Sequence, residues 1–304
     1  MTHYLGIDIG GTKIAAGLVD RSGQINNQAQ CPTPLEGGRS ILNAAAALAE
    51  SVLSSAVADV VGVGIGAGGQ IDPARGYVVS ATDVLPGWAG TQVKSILGER
   101  LNRPVCIDND VNALAMGEVR FGCACDCSSV VFLALGTGVG GALICGGRLH
   151  HGAHWTGGEF GHILIDISPG ARRDLGGSLG TLEAYASGPG LLQTWREITG
   201  ETDPHVTAHD VAAEAERDPG SAGALAIQKT GEYLGYGLVS LANAIDPDLI
   251  VIGGGLASLG DALLGPARTI LQQRALPGPA TCRIVTATLG HDAAVVGAAS
   301  LAMA

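Results

Sequence analysis

The chain has 304 residues, enough for about two domains, and with 46% hydrophobic but only 4% aromatic residues it predicts a core of Ala, Val, Ile and Leu. Its formal net charge of −11 argues against nucleic acid or an anionic membrane as the main partner, because both favour clusters of Lys and Arg. The sequence shows no apolar stretch of about 18 residues, so we expect no membrane span, and it begins with a strand pattern rather than a signal peptide. The seven scattered cysteines fit reduced thiols and a cytoplasmic protein.

The first third of the chain opens with an antiparallel meander of three strands, the third more polar than the others. The patterns in this part predict strands at 4–9, 14–19, 60–65 and 105–107, and helices at 41–57, 91–101 and from 111 onward. The predicted order is therefore βββαβαβ, followed by a further helix.

A similar order restarts at residue 130. The patterns in this part predict strands at 130–135, from 142, at 249–252 and near 282–287, and helices at 182–186, 190–199, 208–217, 222–245, 263–271 and 293–303. A loop-rich insertion, Leu149 to Asp174, follows the returning strand. Repetition of one α/β order predicts two similar domains that face each other.

Three glycine-rich turns follow predicted strands. They are Gly10-Gly11-Thr12-Lys13, Gly136–Gly141 and Gly253–Gly255. Turns of this kind expose successive backbone N–H groups, which can hold phosphate oxygens. Asp8 stands just before the first turn, where it could bind Mg²⁺ directly or through water. A single turn could be no more than a tight connection. Three of them at strand ends, in an acidic chain, predict a phosphate-binding site.

Three polar residues, Asp108, Asn109 and Asp110, stand where a predicted strand ends and a helix begins. In open α/β folds ligands bind at the carboxyl ends of strands, so this stretch is a candidate reaction centre. Taken alone, the simpler explanation is that Asn109 or Asp110 caps the helix. Both interpretations stay open on the local sequence.

The sequence contains neither a Walker-type loop nor a dinucleotide fingerprint. Its turns instead resemble the actin-like, ribonuclease-H-like ATPase fold of sugar kinases. Within that fold the chain is similar, nearly end to end, to the ROK family of bacterial sugar kinases and repressors. The residues that carry the resemblance are Asp8–Lys13, Asn109-Asp110, Gly136–Gly141, Gly158–His162, Leu182–Ala184, Ala186–Gly188 and Gly253–Gly255.

The resemblance implies an α/β fold of two ribonuclease-H-like (actin-like ATPase) domains with a cleft between them. We expect the N-terminal domain, with the sugar site and the first phosphate turn, to span 1–120 and to be completed by 290–304. The C-terminal domain, 121–289, would bind nucleotide and carry the sugar-contact insertion. The resemblance also implies a homodimer or higher homo-oligomer.

The resemblance further implies an ATP- and Mg²⁺-dependent kinase of a hexose or N-acetylhexosamine, with Asp110 as the general base. The residues that would contact the sugar are Gly68, Gly69, Asn109, Asp110, Glu159, His162 and Glu183. The residues that would bind ATP or the metal are Asp8, Gly10, Gly11, Thr12, Lys13, Gly136, Thr137, Gly138, Gly140, Gly254 and Gly255.

The preferred sugar stays open among glucose, N-acetylmannosamine and N-acetylglucosamine. The loop at Asp83-Val84, where the family commonly has an Asn, departs from the pattern near the expected sugar site. A sugar-responsive regulator is a weaker alternative, because such members carry an added N-terminal helix-turn-helix and here the phosphate turn begins within about ten residues of the first Met. A non-catalytic sugar-binding protein is disfavoured by Asp110, and polyphosphate as the donor by the low count of basic residues.

One departure concerns zinc, which the family usually binds with a cysteine-rich run after its Gly-His pair. Here Asp174, Gly176 and Thr181 stand at the three cysteine positions, so we expect His162 to serve the sugar alone. A separate group, Cys123, Cys125 and Cys127, has one residue between cysteines where metal sites more often have two. Ordinary loop thiols are the simpler explanation of this group, and metal binding there stays open.

Elemental analysis of the purified protein is expected to find far less than one zinc per chain, because the thiolate ligands are missing. A stoichiometric zinc content would contradict this expectation.

Overall fold

The structure is a computed structural model that describes residues 2–56 and 59–303. The chain forms two compact units, each built on a five-stranded sheet. One unit comprises Met1–Asp126, His151–Gly157 and Thr288–Ala304, and the other comprises Cys127–His150 and Gly158–Ala287. The domain boundaries expected from the sequence, 1–120 with 290–304 and 121–289, stay a prediction.

The first unit contains the predicted meander. Its described strands are β1 (Thr2–Ile9), β2 (Lys13–Asp20), β3 (Ile25–Pro32), β4 (Asp59–Ala67), β5 (Gln70–Asp72), β6 (Tyr77–Ser80) and β7 (Val105–Asn109). The main sheet has the order β3-β2-β1-β4-β7, in which the first three strands are antiparallel and β4 and β7 run parallel to β1. The β5–β6 hairpin was not predicted, because strands of three and four residues are too short to show alternation.

Helices cover both faces of this sheet. They are α1 (Gly38–Ser54), α2 (Val93–Leu101), α3 (Asp110–Phe121) and α9 (Ala293–Ser300). Leu5, Ile7 and Ile9 of β1 point into the core that also contains residues of α1 and α2. The alternate residue Gly6 faces α9, and Asp8 lines a cavity with residues of that helix. Asp8 therefore lies on the sheet face that packs against α9.

Two predicted helices end before the residue that was expected. The helix predicted at 41–57 ends at Ser54, and its expected last residue, Val57, lies outside the described residues. The closing helix was predicted to reach Met303, which is wrong, because it ends at Ser300. Beyond Ser300 the N–H groups of Leu301, Ala302 and Met303 each bond to the carbonyl three residues earlier, so the chain tightens into turns.

The second unit repeats the arrangement of the first. Its described strands are β8 (Val130–Leu135), β9 (Val139–Cys145), β10 (Arg148–Leu149), β11 (Leu249–Gly253) and β12 (Arg283–Thr286). The sheet order is β10-β9-β8-β11-β12, again a meander followed by two parallel strands. The predicted repetition of one α/β order is confirmed.

Five helices of the second unit surround its core in the described chain. They are α4 (Leu182–Ala186), α5 (Gly188–Thr199), α6 (Ala208–Arg217), α7 (Ala222–Ile245) and α8 (Asp261–Arg274). Within residues 2–56 and 59–303, no helix has the length and apolar character that a bilayer crossing needs.

Glu118, in the last turn of α3, is only 1% exposed, and its carboxylate accepts hydrogen bonds with both oxygens. Its Oε1 accepts hydrogen bonds from the N–H groups of Thr288 (2.7 Å) and Leu289 (2.9 Å). Its Oε2 accepts from the N–H of Cys123 (2.9 Å) and the hydroxyl of Thr288 (3.0 Å). One side chain thus joins the end of α3 to the segment that leads into α9.

Glu118→Gln is expected to lower the free energy of unfolding by about 2–4 kcal/mol, because an amide nitrogen would face donors that now share a carboxylate. Urea denaturation would measure the change. The same substitution at the exposed Glu36 is the matched control and should shift stability by less than about 0.5 kcal/mol. Equal effects of the two substitutions would contradict the role given to Glu118.

Candidate active site

The junction between β7 and α3 is organised by the side chain of Asn109. Its Oδ1 accepts hydrogen bonds from the N–H groups of Val111 (2.9 Å) and Asn112 (3.3 Å), so Asn109 caps the helix. Its Nδ2 donates to the carbonyl of Gly69 (3.0 Å), which lies in the turn between β4 and β5. The capping role that the sequence allowed is confirmed for Asn109, and the same amide ties α3 to a second loop.

The backbone conformation and surroundings at position 69 of that turn require glycine. Its φ of +106° is one that side chains rarely adopt, and a Cβ there would lie 2.4 Å from the carbonyl oxygen of Ser80. The backbone of Gly68 and Gly69 is thereby held next to Asn109. Three residues expected to contact the sugar are thus together in this unit.

Asp108 and Asp110 flank Asn109 but have different surroundings. Asp108 is buried, and its Oδ1 accepts from the N–H of Asn109 (2.8 Å) and Nδ2 of Asn112 (2.8 Å). Its Oδ2 lies 2.6 Å from Nε2 of His151. Both oxygens of Asp108 are therefore used in holding the structure, and the hydrogen bond that His151 makes to Asp108 raises the pKa of His151.

Asp110 begins α3 and is less enclosed by side-chain partners. Its Oδ1 accepts a hydrogen bond from the N–H of Val111 (2.9 Å), which favours the ionised form at a helix N-terminus. Burial nevertheless raises the pKa of Asp110, since the charged carboxylate has lost most of its water. A carboxylate with a raised pKa is a better proton acceptor near neutral pH than an ordinary surface aspartate.

Asp8 lies close enough to Asp110 for their charges to interact. Burial and, next, the negative charge of Asp110 raise the pKa of Asp8 to about 6, and the charge of Lys13 opposes this shift. A cavity of about 280 Å³ beside Asp8 is lined also by Lys13, Gln28 and His291. The charge of Asp110 thus disfavours the ionisation of Asp8, an effect that a bound cation would relieve.

The turn between β1 and β2 is held by an internal hydrogen bond and by Thr33, the residue that follows β3. The N–H of Gly10 donates to the carbonyl of Lys13 (3.0 Å), which closes the turn. Thr33 donates its hydroxyl to the carbonyl of Gly10 (2.6 Å) and its N–H to that of Thr12 (3.1 Å). The turn that contains Gly10, Gly11 and Thr12 is thus a fixed element next to Asp8.

The second unit contains the other two glycine turns. The turn from Gly136 to Gly138 connects β8 to β9, Gly140 is the second residue of β9, and Gly254 follows β11. A cavity of about 450 Å³ is lined by Gly136, Thr137 and Gly255, with apolar walls that include Pro189, Leu192 and Val206. The predicted residues Gly136, Thr137 and Gly255 therefore share one cavity, whereas its apolar walls had not been predicted.

Glu183 also contacts the first of these turns. Its Oε2 accepts a hydrogen bond from the N–H of Val139 (2.9 Å). A Cβ on Gly138 would lie 2.5 Å from the same oxygen, so a side chain at this position would displace the Glu183 carboxylate. The structure thus brings an expected sugar contact, Glu183, against the backbone of an expected nucleotide contact.

Glu159 precedes a short 3-10 turn, Phe160–His162, and His162 is its last residue. The His162 side chain is 57% exposed, and its Nδ1 lies 3.7 Å from Oδ2 of Asp174. Asp8, Gly10–Lys13, Gly68, Gly69, Asn109 and Asp110 thus belong to the first unit, and Gly136–Gly140, Glu159, His162, Glu183, Gly254 and Gly255 belong to the second.

The pair formed by Asp108 and His151 was missed by sequence reasoning. The two residues are 43 positions apart, and the His lies in the insertion at a position without any local pattern. Only the return of His151–Gly157 to the first unit brings them together.

The cysteines near the end of α3 do not look reactive. Burial, and next the charge of Glu118, raise the pKa of Cys123 to about 12, and burial also raises that of Cys125. Since the thiolate is the form that attacks or binds metal, both shifts disfavour such roles. No disulfide links cysteines in the described part of the chain.

Known proteins resemble this chain along nearly its whole length. A model of the ROK family matches residues 4–304. A glucokinase of Halalkalibacterium halodurans is 34% identical over 97% of this chain and 93% of that protein. An N-acetyl-D-glucosamine kinase of Citrobacter koseri is 32% identical over 98% of both. The crystal structure of a ROK family glucokinase from Streptomyces griseus, in complex with glucose and AMPPNP, has a TM-score of 0.81 and 32% identity and covers 99% of both chains.

Asp8→Asn is expected to stabilise the protein without ligands. Because folding raises the pKa of Asp8 from 3.8 to about 6, its contribution to stability is fully present below the unfolded-state pKa and is lost as pH rises through about 6. At about 1.4 kcal/mol per unit, the variant should gain up to about 3 kcal/mol at neutral pH and nothing below about pH 4.

Urea unfolding of both proteins across this pH range would measure the effect. Asp59→Asn, at an exposed position at the start of β4, is the control and should show no such pH dependence. A gain at Asp8 that is the same at all pH values would contradict the explanation by burial and charge.

Proposed function

Because the chain belongs to the ROK family and is a sugar kinase, we propose that it transfers phosphate from ATP to a hydroxyl of glucose or an N-acetylhexosamine, with Asp110 as the general base. Its two sheets share one strand order, and it has the α/β actin-like ATPase fold of its structural neighbours. The fold class predicted from the sequence is confirmed.

The observation that carries the proposal is the position of Asp110 at the strand-to-helix junction. Its pKa is raised by burial, and Asn109 fixes the junction by capping α3. A general base works best when its pKa lies nearer the working pH than that of a free carboxylate. Asp108 is less suited to this role, because its oxygens already accept hydrogen bonds from Asn109, Asn112 and His151.

In the proposal the sugar is bound by Asn109 and the backbone of Gly68 and Gly69. Glu159, His162 and Glu183 are proposed as further sugar contacts. Carboxylates accept from sugar hydroxyls, whereas amide and imidazole groups can donate, so this set suits a polyol. Relatives that act on glucose and on N-acetyl-D-glucosamine leave both sugars as candidates.

ATP would lie in the second unit, with its base and ribose in the cavity next to Gly136, Thr137 and Gly255. Gly138, Gly140 and Gly254 would keep the backbone open to it. In the first unit the N–H groups of Gly10, Gly11 and Thr12, with Lys13, would hold phosphate oxygens.

Magnesium fits the residues present near this phosphate turn. The ionisation of Asp8 is disfavoured first by loss of hydration and next by the charge of Asp110, so a divalent cation held by Asp8, directly or through water, would be favoured there. When bound, the ion would neutralise charge on the phosphates. The chain itself contributes the fixed positions of Asp8, Lys13 and the glycine turn.

Asp110→Asn is expected to lower kcat by about a hundredfold or more, because the amide cannot accept the proton of the attacking hydroxyl. A coupled ADP-release assay with glucose, mannose, N-acetylglucosamine and N-acetylmannosamine would measure this and identify the preferred sugar. Calorimetry should show sugar affinity within about threefold of the unmodified protein, since the substitution keeps the shape of the side chain.

Asp59→Asn serves again as the matched control, because it removes an exposed carboxylate of the same unit. Turnover by the Asp110 variant close to that of the unmodified protein would show that Asp110 is not the base. Loss of sugar binding together with turnover would instead assign it a binding role.

A further inference from the structure

Asp174 has a buried carboxylate in the loop that connects the Phe160–His162 turn to α4, and its side chain is 0% exposed. Its Oδ1 accepts a hydrogen bond from the N–H of Ser178 (2.8 Å). The backbone N–H of Asp174 in turn donates to the carbonyl of Ser178 (2.9 Å), so this part of the loop closes on itself. The carboxylate is therefore fixed in direction before it meets any residue outside the loop.

The second oxygen of Asp174 holds the start of α4. The hydroxyl of Thr181 donates to Oδ2 of Asp174 (2.9 Å) and accepts a hydrogen bond from the N–H of Ala184 (3.4 Å). A threonine hydroxyl has one proton and two lone pairs, so it can cap the helix and bind the carboxylate at once. Thr181 is 2% exposed, so water does not substitute readily for either partner.

The helix capped in this way carries Glu183 in its first turn. The N–H of Leu182 donates to the carbonyl of Ile163 (2.8 Å), which binds the start of α4 to the residue after His162. Glu183 then reaches the N–H of Val139. A displacement of Thr181 would therefore move Glu183 relative to the turn that it contacts.

The same oxygen of Asp174 also faces His162. Nδ1 of the imidazole lies 3.7 Å from Oδ2, the atom that accepts from Thr181. The His162 side chain is itself more than half exposed. One buried group thus lies beside His162 and, through Thr181, supports the helix that carries Glu183.

The residues of this loop do not fit a zinc ion, as the departure from the family pattern predicts. Gly176 offers no side chain, the hydroxyl of Thr181 is a poor zinc ligand, and both oxygens of Asp174 already accept hydrogen bonds. In the described part of the chain, no group of three or more His, Cys, Asp or Glu residues could hold a metal ion. The loop must therefore be held by other means.

We propose that Asp174 is a positioning residue that, through Thr181 and Ser178, holds Glu183 and His162 in place for the sugar without a metal ion. This inference rests on the proposed function, because it concerns how the same sugar site is kept in shape. The carboxylate and hydroxyl close the loop by hydrogen bonds in place of metal coordination.

Thr181→Val tests the inference with little change in volume, because it removes the hydroxyl and keeps the shape. We expect the KM for the sugar to rise about tenfold, with kcat changed less than about threefold, since a hydrogen bond to a charged group is lost outside the reacting atoms. The KM for ATP should change less than about threefold, because the turn at Gly136 also has its own hydrogen bonds to Gly138 and Gly188.

Three comparisons separate this role from a general loss of structure. Thr181→Ser restores the hydroxyl and should return the sugar KM to within about threefold of the unmodified protein. Asp174→Asn should raise it as Thr181→Val does, and the double variant should be no worse than either single one, because both remove one interaction. Thr269→Val, on an exposed face of α8, is the control for the substitution itself.

An unchanged sugar KM in Thr181→Val would overturn the inference. A parallel rise in both KM values together with a lower melting temperature would also overturn it. So would a stoichiometric zinc whose removal abolishes sugar binding. Calorimetric titration with sugar in the absence of ATP keeps the test independent of turnover. Absence of ADP release by the unmodified protein with every sugar would instead refute the proposed function.

Discussion

The amide side chain of Asn109 makes the hydrogen bonds on which the geometry of the first unit's site depends. Its oxygen satisfies two N–H groups at the start of α3, and its nitrogen binds the carbonyl of Gly69. A helix N-terminus leaves several N–H groups without partners inside the helix, so a residue that caps it also determines where the helix begins. Asp110 owes its position, one residue later, to this constraint.

Loss of hydration is unfavourable for a carboxylate, and at two positions in the first unit hydrogen bonds offset it only in part. Asp108 and Glu118 lose little by being buried, since each accepts several hydrogen bonds. Asp8 and Asp110 are less well compensated, and their raised pKa values express the loss of hydration and, for Asp8, mutual repulsion. Groups held in an unfavourable ionisation state are typical of sites whose substrates or ions complete the missing interactions.

Periodicity predicted the regular elements well, because long amphipathic helices and buried strands depend on local patterns. The helix at 222–245 and the strand at 130–135 have the bounds that were expected. The β5–β6 hairpin and the early end of the closing helix escaped, since short strands and tightened helix ends leave no period to read. In the site, the cap at Asn109 was recognisable, whereas its contact with Gly69, 40 positions away, was not.

By itself, the sequence determined that the chain repeats one α/β order, which residues end its strands and where its glycine turns lie. Those features are local, because strand ends, caps and turns depend on neighbouring residues. Tertiary structure alone decided the surroundings of the three carboxylates at 8, 108 and 110. Their partners come from distant segments, so that His151 engages Asp108 while the charge of Asp110 acts on Asp8. The pKa of a carboxylate depends on burial and nearby charge, which no local pattern contains.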